Sequence, residues 1–273
     1  KNGNLCYVLP GVPREMTYIM ENSVLPYLQQ QVKDNVILHY TWRTTGVPES
    51  KLAEMLGDIN KIEKYGKLAF LPKFTGVDVR ISITANNQQE AENLRQAADE
   101  LVLDKAGKFV YATGDMPLEQ VVGDLLRERN ETLAVAESCT GGLICHQITS
   151  IAGNSDYFMG GMITYSNDQK IKALGVSELT LEKFGAVSED MAKEMAAMVR
   201  DRVGTDYGLS VTGIAGPGGG TNDKPVGLVY IGLATNNGVR VKKFLFAKDR
   251  ASNQERSAAA ALLMLLLELK GSM

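Results

Sequence analysis

The stretch "LAVAESCTGGLICHQITS", Leu133 to Ser150, decides how this chain is to be read. An apolar run short enough for a buried strand ends at Glu137, Ser138, Cys139 and Thr140. It passes through Gly141 and Gly142 and resumes with the spacing of a helix. Strand, polar turn and helix form the repeating unit of layered α/β domains, whose ligand sites lie beyond the carboxyl ends of strands. The stretch therefore predicts both an architecture and a place to look for chemistry.

The alternation continues outward from it. Strands are expected over 132–138, 158–166, 206–213, 226–235 and 238–247, with helices near 140–151, 168–174, 188–203 and 250–269. The hairpin-like "TNNG" joining the last two strands makes the sheet mixed, with an antiparallel edge. Residues 116–130 read as the domain's first helix, with Asp115 as a candidate cap and Pro117 in the first turn. Met191, Met195 and Met198 recur at helical spacing and are expected in the core. The apolar end of the chain, close to Glu268 and Lys270, is too short for a membrane span and reads as a buried helix.

Upstream, residues 31–112 form a different unit, a small α+β module. It has a strand over 36–46, a helix over 48–62, strands over 67–74 and 76–85, a helix over 88–107, and a connection near Tyr111. Val77, Val79, Ile81 and Ile83 alternate, which marks one buried sheet face. Residues 1–30 read as a short strand, the turn "PGVP" and a helix from about Arg14. One strand and one helix cannot bury a core alone, so this segment is expected to be the remnant of a larger domain. The three units are thus 1–30, 31–112 and 113–273.

At 273 residues with 44% hydrophobic and 22% charged residues, the chain reads as globular, and its net charge of -3 provides no general field for nucleic acid or an anionic membrane. Cys6, Cys139 and Cys145 have neither metal-ligand spacing nor an even-numbered disulfide framework, so a reducing cytoplasm is the simplest home.

Three polar turns fall at strand ends of the last unit: "AESCTGG", "TYSNDQK" and "SVTGIAGPGGGTNDKPVG". In the first, Ser138 or Thr140 can cap the following helix, the ordinary role of such residues. Placed at a helix N-terminus, Ser138 can also serve as a nucleophile, with the free N–H groups stabilising an anion and Gly141 and Gly142 allowing close approach. The serine needs a base. Of the two histidines, His39 lies in another unit and His146 about two turns along the helix, which leaves a Ser-His-Asp triad poorly supported. A lysine of depressed pKa can replace histidine, and Lys170 and Lys172 are the candidates in the second turn, with Tyr165 able to relay a proton. Spacing alone favours a solvated role for Lys170. Cys139 is the rival nucleophile, although burial is the commoner fate of a free cysteine, and Cys145 is assigned to packing. The third turn is no Walker loop, because Lys224 precedes Pro225. Its Gly213, Gly216, Pro217, Gly218 and Gly219 can nevertheless offer N–H donors, and Thr212 can point into the space of Ser138. Arg250 and Arg256 open the last helix, and either can bind a phosphate.

Taken in order, "AESCTGG", "TYSNDQK", "GAVSEDMA" and "SVTGIAGPGGGTNDKPVGLVYIGLA" closely resemble the CinA C-terminal domain, the nicotinamide mononucleotide deamidase family also called PncC, over 116–273. Residues 32–107, with "TWRTTGVPESKLAEML", resemble that family's KH-type module. Residues 1–30, with "LPGVPREM", resemble the end of its molybdopterin-binding-like domain, which the family associates with ADP-ribose pyrophosphatase activity. Most of that domain, and with it the pyrophosphatase site, is expected to be absent here. The resemblance implies hydrolysis of the carboxamide of nicotinamide mononucleotide to nicotinic acid mononucleotide and ammonia, without metal or cofactor. Ser138 would be nucleophile and Lys170 base, with Tyr165 and Thr212 assisting. Glu137, Cys139, Thr140, the glycines and one arginine, Arg250 by choice, would hold the substrate. It also implies a homodimer or higher homo-oligomer. The alternatives are a nucleic-acid-binding or interaction protein and an inactive scaffold. Against the former stand the acidic balance and the lack of a basic G-x-x-G clamp in the middle unit.

Overall fold

The computed structural model describes residues 5–31, 36–246 and 249–271, which form two sheets preceded by a short helical lead. The lead consists of α1 (Pro13–Ile19), a π-helical turn over Met20–Val24 and α2 (Leu25–Gln31). The strand expected before it is not formed, because no strand among the described residues lies beside 5–12 to pair with it.

In the middle unit, β1 (Val36–Thr44), α3 (Glu49–Leu56), α4 (Asn60–Glu63), β2 (Lys67–Pro72), β3 (Val77–Ala85), α5 (Gln88–Ala106) and β4 (Val110–Thr113) give an antiparallel sheet of order β2-β3-β1-β4. The single helix expected over 48–62 is broken at Gly57, whose φ of 71° is left-handed and cannot continue it. The connection expected at Tyr111 is strand β4, which pairs with β1 and buries Tyr111. Its four residues are too few to show an alternation. Val79, Ile81 and Ile83 are fully buried against Trp42 and the helices, so the alternation read from sequence marks the helix-covered face.

The last unit follows with α6 (Leu118–Arg129), β5 (Leu133–Glu137), α7 (Leu143–Thr149), β6 (Phe158–Ile163) and α8 (Asn167–Gln169), which runs into a π-helical turn over Lys170–Leu174. Then come α9 (Glu178–Phe184), α10 (Glu189–Val203), β7 (Tyr207–Gly213), β8 (Leu228–Thr235), β9 (Gly238–Leu245) and α11 (Arg250–Leu269). Pro117 rather than Asp115 occupies the cap position of α6, in extended conformation and with no side-chain bond. The sheet order is β6-β5-β7-β8-β9, with β6, β5 and β7 parallel and β8 and β9 antiparallel, the mixed sheet expected. The final residue of the strand expected over 238–247 lies outside the described residues.

Both faces of this sheet are covered. Leu133, Val135, Leu209 and Ile231 pack on α6, α7 and α11, while Ala134 and Ala136 face Met191, Met195 and Val199 of α10. All of β5 is buried, so its carboxyl end opens inside the fold and not at a flank. Among the described residues no helix is long and apolar enough to cross a membrane.

The two sheets meet through the turn between β2 and β3, where the Phe74 ring lies under the Arg256 guanidinium of α11 at 5.4 Å. The Arg43 guanidinium of β1 donates to the carbonyl of Met116, just before α6.

Candidate active site

Register assembles the site. Glu137 at the end of β5 pairs with Ile163, the end of β6, and with Val211 of β7, which runs two residues further, so the carboxyl ends of three strands lie side by side. The Ser138 N–H then donates to Val211 O at 3.0 Å and the Thr164 N–H to Glu137 O at 2.8 Å. These bonds place the three polar turns side by side.

The helix expected from Thr140 begins only at Leu143, because Gly141 (φ 65°) and Gly142 (φ 101°) take left-handed backbone that a right-handed helix cannot include. Its first N–H groups are not free. The Glu137 carboxylate, fully buried, accepts from Gly142 N at 2.9 Å, Ile144 N at 3.3 Å and Cys145 N at 2.8 Å. Glu137 is thus the helix cap, and the charge that neutralises the dipole end comes from the protein itself. Replacing it by Ala strands three buried donors. The Glu137→Ala protein is expected to lose about 3 kcal/mol or more in urea unfolding, whereas a surface carboxylate change moves stability by tenths.

Ser138 and Lys170 meet directly, with Lys170 Nζ 2.9 Å from Ser138 Oγ. The lysine side chain is 1% exposed and sits in the π-helical turn after α8, itself started by Ser166, whose hydroxyl accepts from Gln169 N. Nζ also donates to Thr164 O at 2.7 Å and Tyr165 O at 3.4 Å. Among the described residues no carboxylate forms an ion pair with it, and burial lowers its pKa to about 8. The ammonium matches its three hydrogens to these three oxygens, and on losing a proton the amine keeps two for the carbonyls and turns a lone pair to the serine hydroxyl.

Cys139 lines the same cleft, but burial pushes its thiol up to about 12, which removes it as a thiolate nucleophile near neutral pH. His146 is exposed on α7, and Lys172 pairs with Asp168 at 2.7 Å on the surface.

A cleft of about 260 Å³ opens over the pair. Of the residues singled out from sequence, Ser138, Cys139, Tyr165, Lys170, Thr212, Gly213, Gly216, Gly218, Gly219 and Arg250 line it. Thr212 donates to Ala186 O at 2.6 Å, tying the β7 end to the loop before α10. Arg250 donates to Gly216 O at 2.8 Å and Tyr165 Oη at 3.1 Å, and so bridges two of the turns, while Arg256 lies over Phe74 away from the cleft. Glu137, Thr140, Gly141, Gly142 and Pro217 are not on the cleft wall. Thr140 is buried, and its hydroxyl finds no partner among the described residues.

Two residues of α11 escaped the sequence reading. Asn253 donates to Ala215 O at 3.0 Å and Gln254 to Cys139 O at 2.8 Å, so the first turn of this helix fixes the backbone of the first and third turns. Their only signal was position, beside Arg250 in "DRASNQ".

Comparisons with known proteins agree on one lineage. The profile described as the CinA C-terminal domain matches residues 115–269, and that of the damage-inducible protein CinA KH domain matches 39–112. A CinA-like protein of Chloroherpeton thalassium is 46% identical over 265 residues, covering 95% of this chain and 63% of the relative. A putative competence-damage inducible protein of Alkaliphilus metalliredigens is 44% identical, covering 96% of this chain and 64% of the relative. The chain thus spans a little under two thirds of the length of these relatives. Among solved structures, the competence/damage inducible protein CihA of Agrobacterium tumefaciens is 39% identical with a TM-score of 0.54, over 56% of this chain and 93% of that one. A CinA superfamily protein of Klebsiella pneumoniae is 28% identical with a TM-score of 0.55, over 56% and 96%.

Proposed function

This chain belongs to the CinA family, and from that premise we propose that its last domain is a serine–lysine amidohydrolase that converts nicotinamide mononucleotide to nicotinic acid mononucleotide and ammonia. The observation that carries the reading is the buried, unpaired lysine amine within hydrogen-bond reach of a serine at the mouth of a cleft. A lysine held in this way is costly to the fold and is tuned toward base catalysis.

Neutral Lys170 takes the Ser138 proton as Oγ attacks the carboxamide carbon. The negative charge that develops on the carbonyl oxygen falls near the turn after Ser138, where Cys139 is on the cleft wall and, among the described residues, its amide donates to no backbone carbonyl. Collapse breaks the C–N bond, and the lysine ammonium returns its proton to the departing nitrogen. Water, deprotonated by the same amine, then hydrolyses the acyl-serine ester.

Arg250 at the cleft rim is the cation for the ribose phosphate, and Tyr165, 59% exposed, is held against it. The glycines of the third turn let the nucleotide approach the backbone. The test is ammonia release by the whole chain from nicotinamide mononucleotide, with free nicotinamide as control. Arg250→Ala is expected to raise KM for the nucleotide about 10- to 100-fold with a smaller change in kcat, because the phosphate is bound alike in ground and transition states. Turnover of free nicotinamide as fast as of the nucleotide would sink the assignment.

A further inference from the structure

The face of the four-stranded sheet that carries no helices holds a second cavity, of about 430 Å³, remote from the cleft. Its floor is set by strand register: Arg80 of β3 lies between Thr41 of β1 and Ala69 of β2, and Asp78 between Arg43 and Leu71. Small neighbours on either side of Arg80 leave room above it.

The charges here are unevenly matched. Asp78, 5% exposed, forms an ion pair with Arg43 at 3.5 Å, although these two atoms make no hydrogen bond, and Arg43 also has the Met116 carbonyl and the Tyr111 ring, 5.8 Å from its guanidinium. Arg80 has nothing comparable. Its Nε is shielded from solvent without an acceptor, and its guanidinium makes no ion pair and no hydrogen bond with any described residue. A half-buried arginine left without acceptors is a desolvated cation awaiting an anion. Lys73, just after β2, stands on the rim and adds a second cation, while Asp115, after β4 at the other edge of the sheet, offers an acceptor for hydroxyl groups.

We infer that this cavity binds a small phosphorylated sugar, free or within a mononucleotide, with its phosphate on Arg80 and Lys73 and its hydroxyls toward Asp115 and Thr41. A nucleic-acid strand suits the surface less well. Two carboxylates face the cavity, and of the rings of β1 only His39 lines it, tied to Ser82 Oγ at 2.9 Å, while Tyr40 and Trp42 lie on the helix-covered side and offer no stacking platform.

The test is calorimetric titration of the whole chain with ribose 5-phosphate, ribose, inorganic phosphate and a single-stranded oligonucleotide. Saturable binding of ribose 5-phosphate is expected, at least about tenfold tighter than ribose or inorganic phosphate alone. Arg80→Gln should weaken it at least about tenfold, Arg80→Lys should restore part, and this Arg80-dependent binding should persist in the Arg250→Ala chain, whose other cleft can no longer hold the phosphate, with thermal melting recorded for each. Loss in Arg80→Gln through misfolding would be exposed by the melting curve, and Arg80→Lys then decides by whether it binds. The inference is overturned by absence of saturable binding, by affinity indifferent to Arg80, by loss with Arg250→Ala, or by Arg80-dependent binding of the oligonucleotide in place of the sugar phosphate.

Discussion

Replacing Ser138 by Ala is expected to cut ammonia release from nicotinamide mononucleotide by about 10⁴-fold or more while leaving unfolding and nucleotide binding close to those of the parent chain. Among the described nucleophiles of the cleft wall, this hydroxyl is the one bonded to the lysine amine. Cys139, next in the chain, cannot substitute, because its thiol stays protonated until about pH 12. The variant deletes one oxygen and with it the bond to Lys170 Nζ, while the backbone bond from Ser138 N–H to Val211 O that places the residue remains. Single-turnover measurement would show no acylated protein and an undiminished KM-like binding term. Residual turnover within about tenfold of the parent would remove Ser138 from the mechanism.

The second large effect concerns Lys170 and runs in opposite directions for activity and stability. Lys170→Met is expected to lower kcat by about 10³- to 10⁴-fold, the contribution of a general base. The parent's rate should rise with pH to a plateau above about 8, the pH at which the amine loses its proton, and the variant's residual rate should lack this limb. Stability follows from the same shift. Unfolded, the amine titrates near 10.5, and folded near 8. Below pH about 8 both states carry the proton, and the fold bears the full cost of an unpaired buried ammonium, about 3 kcal/mol. Between about 8 and 10.5 the unfolded chain binds a proton that the folded chain has shed, so stability rises with pH until the cost is gone. Lys170→Met removes that cost but strands the Thr164 carbonyl. A net gain of about 1 kcal/mol or more is expected at pH 7, shrinking to nothing or reversing near pH 10, in urea unfolding followed across pH. A variant less stable at pH 7 than at pH 10, relative to the parent, would contradict the depressed pKa.

Much of this site was visible in the chain before folding. An apolar strand closing on polar residues and two glycines places Ser138 at a strand end, because glycine takes at little cost the positive-φ backbone that turns the chain at 141 and 142. Lys170 could not be selected from spacing, since its partner lies in another turn and the two meet only because β5 and β6 run parallel with Glu137 level with Ile163. Thr212 depends in the same way on Glu137 facing Val211. The role of Glu137 was missed although its signal was present: an acid inside "LAVAE" is buried wherever the strand is buried, and a buried carboxylate must find donors. The local breaks, at Gly57 in the middle unit and at β4, reflect backbone and pairing choices that periodicity does not record.

One element touches nearly everything described above. The start of α11 supplies Arg250 to the cleft and, through Asn253 and Gln254, holds the backbone of two of its turns, and further on Arg256 lies over Phe74 of the other sheet. The same helix thus carries both the bonds that hold the cleft turns and the contact with the other sheet, where Phe74 and Arg256 meet face to face. Substitutions at Phe74 are therefore expected to be accompanied by substitutions at Arg256 among descendants of this chain, and a lineage that discards the middle unit would have to rebuild the surface of Phe244, Phe246 and Leu263 that lies beside that contact.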